Sequence, residues 1–358
     1  MIEVRISDPV VAGTIERIRP VDAAAAAEMQ AALDRKTKPR RSLGRLEELC
    51  CRIAAIRGSA VPDPLSKAVV LAAADHGVAA EGVSAYPSEV TAQMLSAFVS
   101  GTAAISVLAR QAEARLVVVD AGVRVPFDDP AVRSMRVGPG TRSFVDGPAM
   151  TRDEALHGVR NGIELAEELS AEGVGLVALG DMGIGNTTSA AALTAALLSC
   201  EPEKVCGRGT GVDDDGLRRK VETVRRAVAF NAVDPSDALA ALSALGGFEI
   251  ATLAGVILGV AASRGVVVLD GVITTAAALV ATGLAPEAAG HMIAAHRSPE
   301  PAHALQLEAL ELEPLLELDM RLGEGSGAAL ALPVIDAALA IAREMGTFEE
   351  AGVTDAGA

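Results

Sequence analysis

Short apolar runs alternate with longer alanine-rich stretches through the middle of the chain. Five runs of small or β-branched residues each end near a glycine, an acidic residue or a histidine: residues 68–74, 116–119, 175–179, 265–269 and 292–295. The stretches between them have a helical period: residues 189–198, 217–229 and 274–281. Continuous apolar strands that alternate with helices are typical of a parallel sheet covered on both faces. The pattern therefore predicts an α/β fold.

Polar residues follow these strands directly. Ligands of parallel α/β sheets bind beside the carboxyl ends of the strands. We therefore expect the residues at those ends to be candidates for one site: Asp75, Asp120, Asp181, Asp270 and His296.

The two ends of the chain have a different pattern. Residues 20–33, 301–317 and 332–345 each have the periodicity of a helix, and no strand pattern lies among them. We therefore predict a small helical domain built from residues 1–60 and 301–358. We expect an α/β domain of residues 61–300 to be inserted between them and to carry the site.

Composition narrows the choice of partners and compartment. The 358 residues carry a net charge of −16, which argues against nucleic acid because no basic surface can replace counterions. No predominantly apolar, uncharged run reaches membrane-spanning length, so no membrane partner is expected. The N-terminus has no signal-peptide pattern, and the four cysteines fit neither a disulfide scaffold nor a zinc site. These features predict a cytoplasmic protein.

Two glycine-rich segments precede predicted helices. Residues 180–188 read GDMGIGNTT, and residues 207–220 read GRGTGVDDDGLRRK. Glycines let backbone N–H groups approach a ligand, and a helix N-terminus favours an anion. The first segment favours a phosphate or ribose cradle over an ordinary strand-to-helix turn. In the second segment, Lys220 either provides the positive charge that a bound phosphate needs or has only a structural role. Both interpretations stay open.

Two further segments carry candidate chemistry. In residues 75–94, DHGVAAEGVSAYPSEVTAQM, Asp75 and His76 are either a polar site or a buried structural pair, and the lone Tyr86 could stack on a flat ligand. In residues 317–332, Glu324 stands between Gly323 and Gly325 with apolar residues on both sides. A carboxylate in an apolar setting has a raised pKa, which suits a general base near neutral pH.

Taken in order, these motifs resemble one family, the nicotinate-nucleotide–dimethylbenzimidazole phosphoribosyltransferases of cobalamin lower-ligand synthesis. The resemblance covers nearly the whole chain. It rests on KPRRSLGRLE, ADHGV, EGVSAYPSEVTAQM, GDMGIGNTT, GRGTG, LDGVITTAAAL, HRSPEPAH, RLGEGSGAALAL and TFEEAGV.

This resemblance implies a Rossmann-like parallel sheet domain, a small helical domain from both chain ends, a homodimer, and neither a metal nor a bound organic cofactor. It implies that phosphoribosyl moves from nicotinate mononucleotide to dimethylbenzimidazole, with Glu324 as the catalytic carboxylate. The substrate-binding positions that it implies are Asp181, Gly183, Gly185, Asn186, Thr187, Lys220 and Ser298 for the nucleotide, and Ser84, Tyr86 and Gln93 for the base.

One departure from the family pattern touches the predicted site. Asp181 stands where the family usually has Glu, so its carboxylate reaches one methylene less far. Transfer to another acceptor, such as adenine or a phenol, therefore remains an alternative. A nucleotide-binding protein without catalysis is a second one, although the intact RLGEGSGAALAL motif argues against it.

Overall fold

A single parallel sheet forms the centre of the protein, for which a computed structural model describes residues 6–354. Its six strands lie in the order β3-β2-β1-β4-β5-β6, and every neighbouring pair is parallel. This is the doubly wound order of Rossmann folds. The strands are β1 Ser66–Ala74, β2 Arg115–Gly122, β3 Val132–Ser134, β4 Val174–Met182, β5 Val266–Leu269 and β6 Met292–Ala294.

Helices connect the strands and cover the sheet. Before β3 they are α1 Pro9–Arg17, α2 Ala23–Asp34, α3 Arg45–Arg57, α4 Glu89–Val99 and α5 Ala104–Gln111. After β3 they are α6 Arg152–Ala171, α7 Asn186–Leu197, α8 Pro202–Val205, α9 Asp214–Asn231, α10 Ala238–Leu245, α11 Phe248–Ala262, α12 Val272–Leu284, α13 Pro301–Ala309, α14 Ser326–Glu344 and α15 Phe348–Ala351. Two 3-10 turns span Gly77–Glu81 and Pro286–His291.

Alternate residues of the strands feed two separate cores. On β1, Val70 and Ala72 point into a core shared with α6, α7, α11 and α12. Val69 and Leu71 point into the opposite core, which is shared with α3, α5 and α14. Successive side chains of a strand face opposite sides of a sheet, so a strand buried on both faces must be apolar throughout. The expected α/β fold with a Rossmann-like parallel sheet is confirmed.

Helices from both chain ends lie together on one face of the sheet. Met29 of α2, Ile53 of α3 and Ile335 of α14 belong to the same core as the sheet residues Val69 and Leu176. The division into residues 1–60 with 301–358, against residues 61–300, stays a prediction. Part of the C-terminal end, residues 355–358, lies outside the described residues.

Three sequence expectations need correction. The short edge strand β3 was not predicted, because only Val132 of its three residues is buried. The helix expected over residues 301–317 ends at Ala309, and the chain then runs along β6, where Leu316 bridges to His296.

The third correction concerns apolar length. By length and composition, Glu89–Gln111 and Ser326–Glu344 would suffice to cross a membrane. The first is interrupted between α4 and α5, and the second, α14, packs one face into the core beneath the sheet.

Candidate active site

A cleft opens at the carboxyl ends of β4, β5 and β6, beside the point where the sheet changes winding direction between β1 and β4. His76, in the loop after β1, packs against Gly183 and Gly185 of the loop after β4. The cleft has a cavity volume of about 80 Å³. Four segments line it, from the ends of β4, β5 and β6 and from the turn before α14, together with Gly209 and Thr210: residues 181–184, 186 and 187, residues 271–273, residues 296, 298 and 300, and residues 321–323.

The glycine-rich loop, defined here as residues 183–188, joins β4 to α7 across this cleft. Gly185 caps α7 with a φ of +98°, a left-handed value that favours glycine, and no side chain caps the helix. The first N–H groups of a helix have no partners within it and carry a partial positive charge. In α7 the Asn186 and Thr188 N–H groups donate to the Gly183 and Gly185 carbonyls at 3.1 and 3.0 Å, so the loop presents to the cleft chiefly the partial positive charge of a helix N-terminus.

Lys220 of α9 stands behind this loop. The side chain is buried, and its Nζ donates to the Thr187 hydroxyl at 2.8 Å and to the Gly207 carbonyl at 3.1 Å. Burial lowers the pKa of Lys220, and the nearby Glu300 carboxylate opposes that shift. Lys220 thus orients Thr187, which itself lines the cleft.

Gly209 is held between two charged side chains that the sequence analysis did not single out. Its N–H donates to Glu300 Oε1 at 2.9 Å, and its carbonyl accepts from Arg321 at 3.3 Å. Arg321 is the only Lys or Arg among the described residues that line the cleft. A cation and an anion thus share the rim nearest Lys220.

Glu324 lies beside the cleft on a strained turn. Gly323, Glu324 and Gly325 have φ values of +81°, +64° and +81°, three consecutive left-handed residues. A Cβ on Gly180 would lie 2.5 Å from the Glu324 carbonyl oxygen, so β4 needs a glycine there for the turn to approach.

The carboxylate of Glu324 is desolvated and partly free. It is 6 % exposed, and Oε2 has no hydrogen-bond partner in the described part of the chain. Burial raises the pKa of Glu324, while a hydrogen bond from the Ile105 N–H opposes the shift. A raised pKa and an unpartnered oxygen both suit a carboxylate that accepts a proton.

Asp270 holds the start of α14 in place. Its carboxylate accepts from the Gly325 N–H at 3.2 Å and from the Ala328 N–H at 3.0 Å. Burial raises the pKa of Asp270 to about 7, against these two hydrogen bonds and with help from the Glu324 charge. Asp270 therefore holds the first turn of α14 in place. Because Glu324 directly precedes this turn, Asp270 also fixes the position of Glu324.

Asp181 lines the cleft at the end of β4. Its Oδ2 accepts from the Asn186 side chain at 2.9 Å, and Oδ1 has no partner among the described residues. Burial and then the negative charges of Asp270, Glu249 and Glu324 raise the pKa of Asp181 well above its usual value. A fully ionised cluster is therefore disfavoured.

The substrate-binding residues expected from the sequence fall into three groups. The first group lines the cleft and consists of Asp181, Gly183, Asn186, Thr187 and Ser298. The second group, Gly185 and Lys220, lies directly behind the first. The third group is Ser84, Tyr86 and Gln93, which do not line the cleft. The Ser84 hydroxyl accepts from the Tyr86 N–H at 3.2 Å, Tyr86 is 52 % exposed, and Gln93 is exposed on α4.

Of the aspartates that follow strands, Asp120 lies apart from Asp181 and Asp270 and does not line the cleft. Its two oxygens accept from the Val123 N–H at 2.8 Å and from Arg136 at 2.6 Å, which closes the turn after β2. His76 is paired, not with Asp75, but with Glu249 of α11 at 2.6 Å, and both side chains are fully buried. The sequence analysis missed Glu249. The feature that could have revealed it is that Glu249 is the one charged residue in a buried helix of 15 residues.

Comparison with known proteins agrees with this geometry. A family model described as "Phosphoribosyltransferase" matches residues 18–353. The nicotinate-nucleotide–dimethylbenzimidazole phosphoribosyltransferase of Roseiflexus sp. (strain RS-1) is 51% identical over 342 residues, covering 95% of this chain and 97% of the relative. The protein of the same name from Geotalea uraniireducens (strain Rf4) is 48% identical over the same length and coverage.

A solved structure agrees as well. The crystal structure of CobT from Thermus thermophilus superposes with a TM-score of 0.89 at 49% identity, covering 92% of this chain and 99% of that chain. The chain is an enzyme and belongs to the nicotinate-nucleotide–dimethylbenzimidazole phosphoribosyltransferase family.

Proposed function

We propose that this enzyme transfers the phosphoribosyl group of nicotinate mononucleotide to dimethylbenzimidazole, giving α-ribazole 5′-phosphate and nicotinate for the nucleotide loop of cobalamin. One observation carries the proposal: Glu324, a buried carboxylate whose Oε2 has no partner among the described residues, directly follows Gly323 in the wall of the cleft that Asn186 and Thr187 of the uncapped α7 also line. The first group suits proton removal from a base, and the second suits a phosphate.

The donor is held by its phosphate. In a protein of net charge −16, an anion needs local compensation. The N-terminus of α7 and Thr187 supply donors, Lys220 places a positive charge behind them, and Arg321 adds a second cation at the rim. We assign the ribose to Asp181, Asn186 and Ser298, which line the same cleft.

Transfer requires one proton to leave the acceptor. A ring nitrogen of the base attacks C1′ as the bond to nicotinate breaks, and the pyridinium leaving group needs no acid. The attacking imidazole ring would become cationic unless its other nitrogen loses a proton, which Glu324 accepts. Attack on the face opposite nicotinate inverts C1′ and gives the α-configured product.

The base is proposed to lie near Ser84, Tyr86 and Gln93. Tyr86 and Gln93 are exposed and Ser84 is half-buried, so we expect apolar contact and stacking on Tyr86 to select a flat ring more than hydrogen bonds do. Because Asp181 is one methylene shorter than the family's usual Glu, acceptors such as adenine or a phenol are the second candidates.

We further propose that the enzyme is a cytoplasmic homodimer that needs neither a metal nor a bound organic cofactor, and binds neither nucleic acid nor membranes. The apolar stretch Glu89–Gln111 supports self-association, because only 33% of its most apolar window is buried within one chain. Its exposed residues include Val107 of α5.

The experiment offers the purified enzyme nicotinate mononucleotide with dimethylbenzimidazole, adenine or phenol in separate reactions. Nicotinate release fastest with dimethylbenzimidazole supports the proposal. Release only with adenine or phenol would reassign the acceptor, and no release with any base would favour a non-catalytic nucleotide-binding protein.

A further inference from the structure

A buried hydrogen bond joins the glycine-rich loop to the segment that carries the proposed base contacts. The Ile184 N–H donates to the Thr91 hydroxyl at 3.2 Å. Thr91 is fully buried on α4, two residues before Gln93, while Ile184 lines the cleft. Thr91 itself is not on the cleft wall. The hydroxyl therefore touches the loop and not the space that a ligand would fill.

A second contact links the same two segments from below. A Cβ on Gly183 would lie 3.3 Å from the His76 ring, and one on Gly185 would lie 3.3 Å from His76 Cβ. His76 is fixed in turn by its 2.6 Å contact with Glu249. A third glycine makes room for this pair, since a Cβ on Gly247 would lie 2.3 Å from the His76 ring. The loop thus rests on a buried ring that cannot shift freely.

We propose that Thr91 and His76 are positioning residues that lock the glycine-rich loop to the base-side segment, residues 76–93. The inference rests on the proposed function. Because one rigid connection serves both halves of the site, ordering of one half favours the other, and donor and base strengthen each other's binding by the same factor.

The test compares Thr91→Val with Thr91→Ser. Valine keeps the shape of threonine but leaves the buried Ile184 N–H without an acceptor, whereas serine keeps the hydroxyl. We expect Thr91→Val to raise KM for nicotinate mononucleotide about tenfold and KM for the base by a similar factor, because loss of one buried acceptor typically has an effect of this order and the coupling is reciprocal. Thr91→Ser should remain within about threefold of the wild type.

A purely structural threonine would lower the melting temperature without changing KM for the donor in the folded enzyme. That result would overturn the inference, and so would equal defects in Thr91→Val and Thr91→Ser. If Thr91→Val does not fold, the inference is tested by measuring amide hydrogen exchange in the wild-type enzyme. Dimethylbenzimidazole alone should slow exchange in residues 183–188, and unchanged exchange there would overturn the inference. A wild type that releases no nicotinate from any base would instead refute the proposed function.

Discussion

Glu324 combines a strained backbone with a desolvated carboxylate. A non-glycine residue in the left-handed region costs roughly 1–2 kcal/mol, and burial without a full set of partners adds to that cost. Glycine would relax the turn but would remove the carboxylate. The protein thus keeps an unfavourable residue where the proposed chemistry needs a base, as strained residues at functional sites often do.

Replacing this carboxylate tests its role. Glu324→Gln keeps the size and shape of the side chain but cannot accept a proton, so kcat should fall by roughly two to four orders of magnitude. The wild type should lose activity as pH falls through the raised pKa of Glu324, because only the ionised form accepts the proton. That acid limb should be absent from the kcat profile of the variant.

A matched control lies on the same loop. Glu317 is exposed and paired with Arg297 at 2.7 Å, so Glu317→Gln makes the same chemical change outside the cleft and should leave kcat near that of the wild type. Near-normal kcat and an intact acid limb in Glu324→Gln would assign the base to another carboxylate, Asp181 being the nearest candidate in the cleft.

Lys220 carries the prediction for the donor phosphate. Lys220→Ala removes the buried charge and the hydrogen bond to Thr187, so KM for nicotinate mononucleotide should rise by the equivalent of about 1.5–3 kcal/mol. KM for the base should change little. Lys204→Ala, on the exposed surface of α8, is the control. Equal increases in both KM values for Lys220→Ala would instead indicate a role in folding alone.

Individual residues could be predicted where local sequence constrains the backbone. The sequence shows Glu324 between two glycines, and the structure contains three consecutive left-handed residues there. Glu249 could not be found this way, because its partner His76 is 173 residues away and only the fold brings them together. The same holds for Glu300 and Arg321, which meet at Gly209.

At the scale of elements, the start of α14 is the most informative. Its N-cap, Gly325, has no side chain, and Asp270 from the end of β5 supplies the acceptors instead. A helix terminus and a strand terminus are thereby tied together across the sheet. The arrangement fixes the turn on which Glu324 sits.

Asp270→Asn should therefore lower both stability and kcat, because an amide replaces one acceptor oxygen by a donor. The stability difference should depend on pH. The pKa of Asp270 is raised from 3.8 to about 7 in the folded state, so the native protein holds a proton that the unfolded chain has lost. The wild type's advantage should thus shrink as pH rises through this window.

Denaturant unfolding of both proteins at about pH 5 and about pH 8 measures this difference, since these values bracket most of the titration. A larger free-energy gap at the lower pH is expected. A gap that does not vary with pH would mean that the proton on Asp270 does not contribute.

The strands that are most deeply buried were the easiest to predict from the sequence. The five apolar runs all became strands, because a strand covered on both faces must be apolar along its length. The edge strand β3 has only one buried residue in three and left no such pattern. The helix expected over residues 301–317 ends early because Leu315 and Leu316 pair with the backbone of Ala294 and Ala295 instead of continuing the helix.

At the scale of the whole molecule, the order of the strands could not be derived from their pattern alone, since any permutation of buried strands has the same periodicity. The resemblance implied a Rossmann-like sheet, and the structure gives its order. With β4, β5 and β6 side by side, their carboxyl ends bring the loops that line the cleft together.

Assembly is the prediction at this scale. We expect sedimentation at micromolar concentration to detect a species of twice the 36.3 kDa chain mass, because the apolar stretch Glu89–Gln111 has only 33% of its most apolar window buried in one chain and exposes Val107. Val107→Glu, which places a charge on this surface, should weaken the dimer. A wild type that sediments only as the single chain would contradict the predicted homodimer.

The transfer reaction itself is tested most directly by its products. Wild-type enzyme is mixed with nicotinate mononucleotide, with and without dimethylbenzimidazole, and the released nicotinate and the configuration at C1′ of the product are measured. We expect one nicotinate for each α-configured ribazole phosphate, and almost none without the base. Nicotinate release that does not depend on the base, or a β-configured product, would contradict base-assisted displacement in this cleft.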